Sequence, residues 1–145
     1  MNAIPPLPAA GSLGSFDHDA DVGVIGRGAT VEQALAAAAG ATFELRCPLA
    51  AVAPRRRIDV AFDEDDADLA LVAWLNALLA QAQVEGLALG RFALVRDGRH
   101  WRGSAWGEPW RPELPRGVDV KGATLTALSV RPADGGWEAR CVVDV

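Results

Sequence analysis

Val22-Gly23-Val24-Ile25-Gly26-Arg27-Gly28-Ala29-Thr30-Val31-Glu32-Gln33 passes from one backbone period to another over a single short stretch. Val22 to Gly26 is a short apolar run of strand type, and Gly28 with Ala29 breaks it. Thr30 stands three residues before Gln33, the spacing at which a hydroxyl and an amide side chain cap the first turn of a helix. Val31, Ala34, Leu35, Ala38, Thr42 and Leu45 then recur at helical intervals. The reading is a strand followed by a helix over 30–45, ended before Pro48. The alanines at 36–39 give that helix a thin side-chain layer, so it is able to lie close to a sheet.

Downstream, Ile58, Val60 and Phe62 alternate with Arg57, Asp59 and Ala61, the period of a half-covered strand. The acidic run 63–68 precedes Leu69, Val72, Leu75 and Leu79, a helical stripe widened by Trp74 and Leu78. Negative charge is favoured at a helix start, so the economical role of that run is capping; the helix should stop near Gly86. From Leu87 the pattern is of strands: Phe92 and Leu94, a hairpin signal at Asp97-Gly98, then 101–106. The proline-rich stretch 107–117 reads as a loop, and Val118 with Val120 as the start of a strand that Gly122 interrupts. Leu128 and Val130 follow, then a turn at 134–136. In the last strand Trp137, Ala139, Cys141 and Val143 share one face, opposite Glu138, Arg140, Val142 and Asp144.

Two helices and roughly six or seven strands predict an α+β fold, a two-layer arrangement with both helices packed on a mainly antiparallel or mixed sheet. The 145 residues, half of them apolar, suit one core, expected over 16–145 behind a flexible tail at 1–15. A net charge of -5 denies the chain the overall positive field with which nucleic-acid binders neutralise phosphates. Arg55, Arg56 and Arg57 form the one dense basic run, read as the solvated start of an edge strand. Cys47 and Cys141 are too few for a disulfide framework and fit a reduced, cytoplasmic compartment. The first fifteen residues lack the basic and apolar segments of a signal peptide or membrane anchor, so no membrane association is expected.

Catalytic chemistry finds no purchase in the motifs. Gly23, Gly26 and Gly28 have the wrong spacing for a phosphate loop, the two histidines have no second ligand at zinc spacing, and no serine sits on a hydrolase elbow. The densest feature is Asp17-His18-Asp19-Ala20-Asp21, immediately before the first apolar strand. Carboxylates there can supply hard oxygen ligands to a divalent cation, and a histidine among them can orient one by hydrogen bonding; a plain solvated turn is the alternative. Asp144 and the Val145 carboxylate at the end of the last strand form a second acidic group, which repels itself unless it is exposed or compensated by a metal ion or by Lys121. A frayed, solvated end is the alternative there.

Phe16-Asp17-His18-Asp19-Ala20-Asp21-Val22-Gly23 resembles the opening motif of the archease family. The order continues through Thr30-Val31-Glu32-Gln33-Ala34, Trp74-Leu75-Asn76-Ala77-Leu78-Leu79, Gly107-Glu108-Pro109, Val120-Lys121 with Thr124, and Gly135-Gly136-Trp137 before Val142-Val143-Asp144-Val145. The resemblance implies a non-catalytic helper of an RtcB-type RNA ligase, which joins a 2',3'-cyclic phosphate or 3'-phosphate RNA end to a 5'-hydroxyl end with GTP and manganese. GTP would belong to the ligase, and RNA would be met only through it. The resemblance also implies a divalent-cation site, calcium first and magnesium or manganese next, on Asp21, Asp144 and Val145, with His18 and Lys121 in support. Asp19, Glu108, Thr124 and Thr126 are the candidate partner contacts. One departure stands out: the family's histidine and following aspartate after the lysine strand are here Thr126 and Ala127. A generic α+β interaction module with a structural cation site is the alternative reading.

Overall fold

The computed structural model describes residues 3–9, 11–18 and 21–145, without the side chains of Asp17 and His18. Strands β1 (Leu13–His18) and β2 (Asp21–Gly28) lead into helix α1 (Val31–Glu44). Strand β3 (Arg56–Asp63) and helix α2 (Ala67–Glu85) follow, and then β4 (Leu87–Asp97) and β5 (His100–Pro109). The chain closes with β6 (Gly122–Ala123), β7 (Ser129–Ala133) and β8 (Gly136–Asp144). The fold is α+β, with two helices covering sheet that is antiparallel at every described pairing.

Local chemistry sets the helix ends. Thr30 Oγ1 accepts from the Gln33 amide at 3.1 Å, satisfying an orphan donor of the first turn of α1, while Gln33 Oε1 accepts from the amide of Ala29, the residue before the cap, at 3.0 Å. Asp66 caps α2 by accepting from the Asp68 amide at 2.8 Å, and Gly86 ends it at φ 67°, a left-handed conformation that glycine adopts without penalty. The two-residue turn Asp134-Gly135, with φ of 50° and 79°, joins β7 to β8, because positive φ at both positions matches the twist of a tight hairpin.

The strands divide into two sheets. One runs β1-β2-β8-β6, with β7 also on β8; the other runs β3-β5-β4. The helices fill the space between them. Trp74 of α2 donates from its indole to the Leu35 carbonyl of α1 at 2.9 Å, and its ring lies where a Cβ on Gly103 of β5 would fall, 2.1 Å from the nearest ring carbon. The alanine-rich α1 approaches β2 so closely that a Cβ at Gly26 would sit 2.1 Å from the Ala38 nitrogen. Each contact is open only to glycine, and together they lock helix layer to sheet.

Three expectations need correction. β1 begins at Leu13, inside the stretch read as tail, and pairs with β2 from Leu13↔Gly26 to His18↔Asp21; Arg91 also donates to the Pro5 carbonyl at 3.0 Å. β5 runs on to Pro109, into the stretch read as loop. Val118 and Val120 belong to no strand, because the Gly117 and Val118 amides are spent on the carbonyls of Arg46 and Leu45 at the end of α1. The strands beneath the two helices are hydrogen-bonded as two sheets. The arginine run does open an edge strand, β3, where Arg56 pairs with Glu85 and Arg57 with Asp59, each at 2.8 Å.

Candidate acidic site at the sheet end

Register brings the two ends of the chain together. β2 and β8 pair from Gly28↔Trp137 to Val22↔Val143, which leaves Asp21 and Asp144 as the next residues of the two strands. Val22, Val24, Cys141 and Val143 point into the core. Alternation therefore turns Asp21 and Asp144 to the outer face, away from the helices. On one side β1 extends the row, with the His18 backbone paired to Asp21. On the other, Gly122 of β6 pairs with Asp144, and the neighbouring Lys121 amide donates to the Asp144 carbonyl at 2.8 Å.

Asp144 and Lys121 are exposed, while Asp21 and Val145 are half-buried. Among the described residues neither aspartate has an ion-pair partner or accepts a side-chain hydrogen bond. Carboxylates without an ion-pair partner at one sheet end are groups whose mutual repulsion a cation would relieve. Oxygen donors from Asp21, Asp144 and the Val145 carboxylate suit a hard divalent ion, with weak affinity from so small a set. Among the described residues no group of three His, Cys, Asp or Glu forms a metal cluster. Asp19 and the His18 side chain lie outside the described residues.

The remaining candidates separate. Thr124 Oγ1 donates to the Val142 carbonyl at 2.9 Å and accepts from the Thr126 amide at 3.2 Å; the Thr126 carbonyl in turn accepts from the Val142 amide at 3.2 Å. These bonds carry the chain across the gap between β6 and β7, leaving the Thr126 side chain exposed and Ala127 at φ 52°. Glu108 stands apart from this edge. It is 2% exposed, and its carboxylate accepts from the Ala53 amide at 2.6 Å and from Arg111 Nε at 2.7 Å. The Arg111 hydrogen bond, then the Ala53 amide, hold its pKa below the usual glutamate range. Both oxygens of that carboxylate are occupied within the chain.

One contributor was legible but passed over. Asn76 is the polar residue inside Trp74-Leu75-Asn76, and its Oδ1 accepts from the Ala123 amide at 2.8 Å, clipping β6 to α2. A second helix contact, Asp68 Oδ1 to the Val130 amide at 2.7 Å, fixes β7. Both side chains complete an edge that the short strands could not hold alone.

Residues 14–145 match the model of the Archease protein family. The chain belongs to the archease family. The Protein archease of Pyrococcus furiosus is 33% identical over 137 residues, covering 90% of this chain and 96% of its own length. That of Aeropyrum pernix is 32% identical over 135 residues, covering 89% and 94%. The solution structure of Methanobacterium thermoautotrophicum protein 1598 superposes with a TM-score of 0.83 at 27% identity, over 92% of this chain and 99% of that one. Archease-family proteins are non-catalytic accessory factors.

Proposed function

We propose that this archease promotes the guanylylation and repeated turnover of an RtcB-type RNA ligase in tRNA splicing or RNA repair, and catalyses no reaction by itself. The observation that supports the reading is the β2–β8 register, whose last pair, Val22↔Val143, leaves Asp21 and Asp144 as the next residues of their strands at one sheet end. An acidic, cation-seeking patch is the complement of a ligase centre built around a metal ion and a nucleotide. Asp21, Asp144 and Val145 would hold a divalent cation, calcium in the first instance and magnesium or manganese as alternatives, with Lys121 and His18 in support. That ion supplies charge compensation and a fixed geometry for the two aspartates. GTP belongs to the ligase, and the site of action is cytoplasmic, in keeping with Cys47 and Cys141, both free and buried.

The Thr126 position argues for a matched pair. Threonine offers a hydroxyl where an imidazole would titrate near neutral pH, so the cognate ligase is expected to differ from those served by histidine-bearing archeases.

The test is a pull-down of the cognate ligase, with labelled GMP transfer from GTP measured with and without this chain. Faster label transfer to the ligase and none to the archease is the expected result. Label on the archease alone overturns the non-catalytic role. Co-purification without stimulation favours the second reading, an interaction module with a structural cation site.

A further inference from the structure

The outer face that carries Asp21 and Asp144 has an opposite pole. On the same face of β8, Arg140 and Glu138 lie four and six residues before Asp144, about 14 and 20 Å away at 3.4 Å per residue. Glu138 is flanked in register by Arg27 of β2 and Arg131 of β7. Its carboxylate meets Arg27 Nη2 at 3.2 Å, Arg131 Nη2 at 3.6 Å and Arg140 Nε at 3.8 Å. Three guanidiniums on one carboxylate leave a surplus of two positive charges, in a chain whose net charge is -5. Arg140 is further committed: its guanidinium lies 5.0 Å from the Phe16 ring centroid, and its buried Nε has no hydrogen-bond partner among the described residues. Arg27 and Arg131 are more open, with side chains 46% and 61% exposed.

We infer that Arg27 and Arg131, with the committed Arg140 adding charge behind them, form a phosphate-binding surface that contacts the RNA strand while it is held by the partner ligase; the inference rests on the ligase-helper function proposed above. The face is dipolar. Its anionic end is suited to a cationic metal and nucleotide centre, and its cationic end, about 14–20 Å away, to something anionic leading from that centre. In an RNA ligase with substrate in place, the chain of alternating phosphates leading from the reacting ends is such an anion. Guanidinium forks match phosphate oxygens in geometry as well as charge. The surplus is too small for the free archease to bind RNA tightly, and that explains how an acidic protein comes to act on RNA only within a complex.

The experiment measures RNA affinity of the intact ligase at several salt concentrations, alone, with the unaltered archease, and with Arg27→Gln/Arg131→Gln. Guanylylation without RNA is measured in parallel. Each phosphate contact to single-stranded nucleic acid contributes about 0.7 to the slope of log affinity against log salt, so two contacts should steepen the slope by about 1.4. The unaltered archease should produce that change and the double variant should lose it, while RNA-free guanylylation stays stimulated by both and Arg27→Lys/Arg131→Lys retains much of the effect. An unchanged slope beside normal stimulation overturns the RNA contact alone. Loss of RNA-free stimulation in the glutamine variant also overturns it, assigning the arginines to an acidic surface of the ligase. Absence of stimulation by the unaltered chain overturns the functional reading, and the RNA contact with it.

Discussion

Glu108 and the Asp21–Asp144 pair are acidic groups of similar chemistry in opposite settings. Glu108 is sealed beneath the residues around Ala53, with each carboxylate oxygen taken by a donor. Asp21 and Asp144 lie at one sheet end, a step beyond the last β2–β8 pair, Val22↔Val143, with no ion-pair partner among the described residues. A carboxylate that has been satisfied internally works for the fold. One left without such a partner costs the fold something and is kept for what it meets outside. Sequence position alone did not separate the two roles, since Glu108 lies in a family motif just as the aspartates do.

The largest effect that sharpens this contrast is expected from Glu108→Ala. It strands the Ala53 amide, at a cost of about 1–3 kcal/mol by urea unfolding, while the exposed Arg111 guanidinium falls back on water and Glu113. A change under about 0.5 kcal/mol, the range of ordinary surface substitutions, would dissolve the distinction. The same carboxylate sets an acid dependence. Its folded pKa is lowered, chiefly by Arg111 and then by the Ala53 amide. Its stabilisation is therefore complete above the ordinary glutamate value of about 4.3 and lost as pH falls through the lower folded value. Thermal unfolding from pH 6 downward should show a steeper decline for the natural chain than for Glu108→Gln; parallel curves would contradict the assignment.

At the other pole, Asp21→Asn and Asp144→Asn should leave stability unchanged within about 0.5 kcal/mol, or raise it slightly, since like charges on neighbouring strands repel. A loss on the scale of Glu108→Ala would mark these aspartates as structural. Thr126→His should perturb the fold least, because the side chain is exposed in a turn. Its effect belongs in a multiple-turnover ligation assay: higher stimulation of a ligase that normally meets a histidine-bearing archease, and little change with the cognate ligase. Equal stimulation of the foreign ligase by both versions would remove Thr126 from partner choice.

What could be read from the sequence was local. The Thr30 cap, the Gly86 stop and the alternation of 137–144 are each specified within a few residues, and they stand in the structure. Strand β1 was hidden because Gly14 and Ser15 give it no apolar alternation; it is a strand because β2 offers it an edge. Val118 and Val120 look strand-like, yet the segment's amides are claimed by carbonyls at the end of α1, far away in sequence. The division into two sheets likewise depends on pairings across long separations. Candidate residues Asp21 and Asp144 were visible as acids at strand ends, but their place at one sheet end follows from the β2–β8 register. The arginines around Glu138 were invisible, because they come from three strands and no motif joins them.

The most direct test is guanylylation of the cognate ligase by Asp21→Asn, Asp144→Asn and Glu108→Gln archeases, each assayed at a temperature where circular dichroism shows it folded. Loss of stimulation by about 10-fold or more is expected for the two asparagine variants, on the scale seen when groups that order a metal site are removed. Near-natural stimulation is expected for Glu108→Gln. Full stimulation by both folded asparagine variants would contradict the claim that these two aspartates are the working centre of this protein.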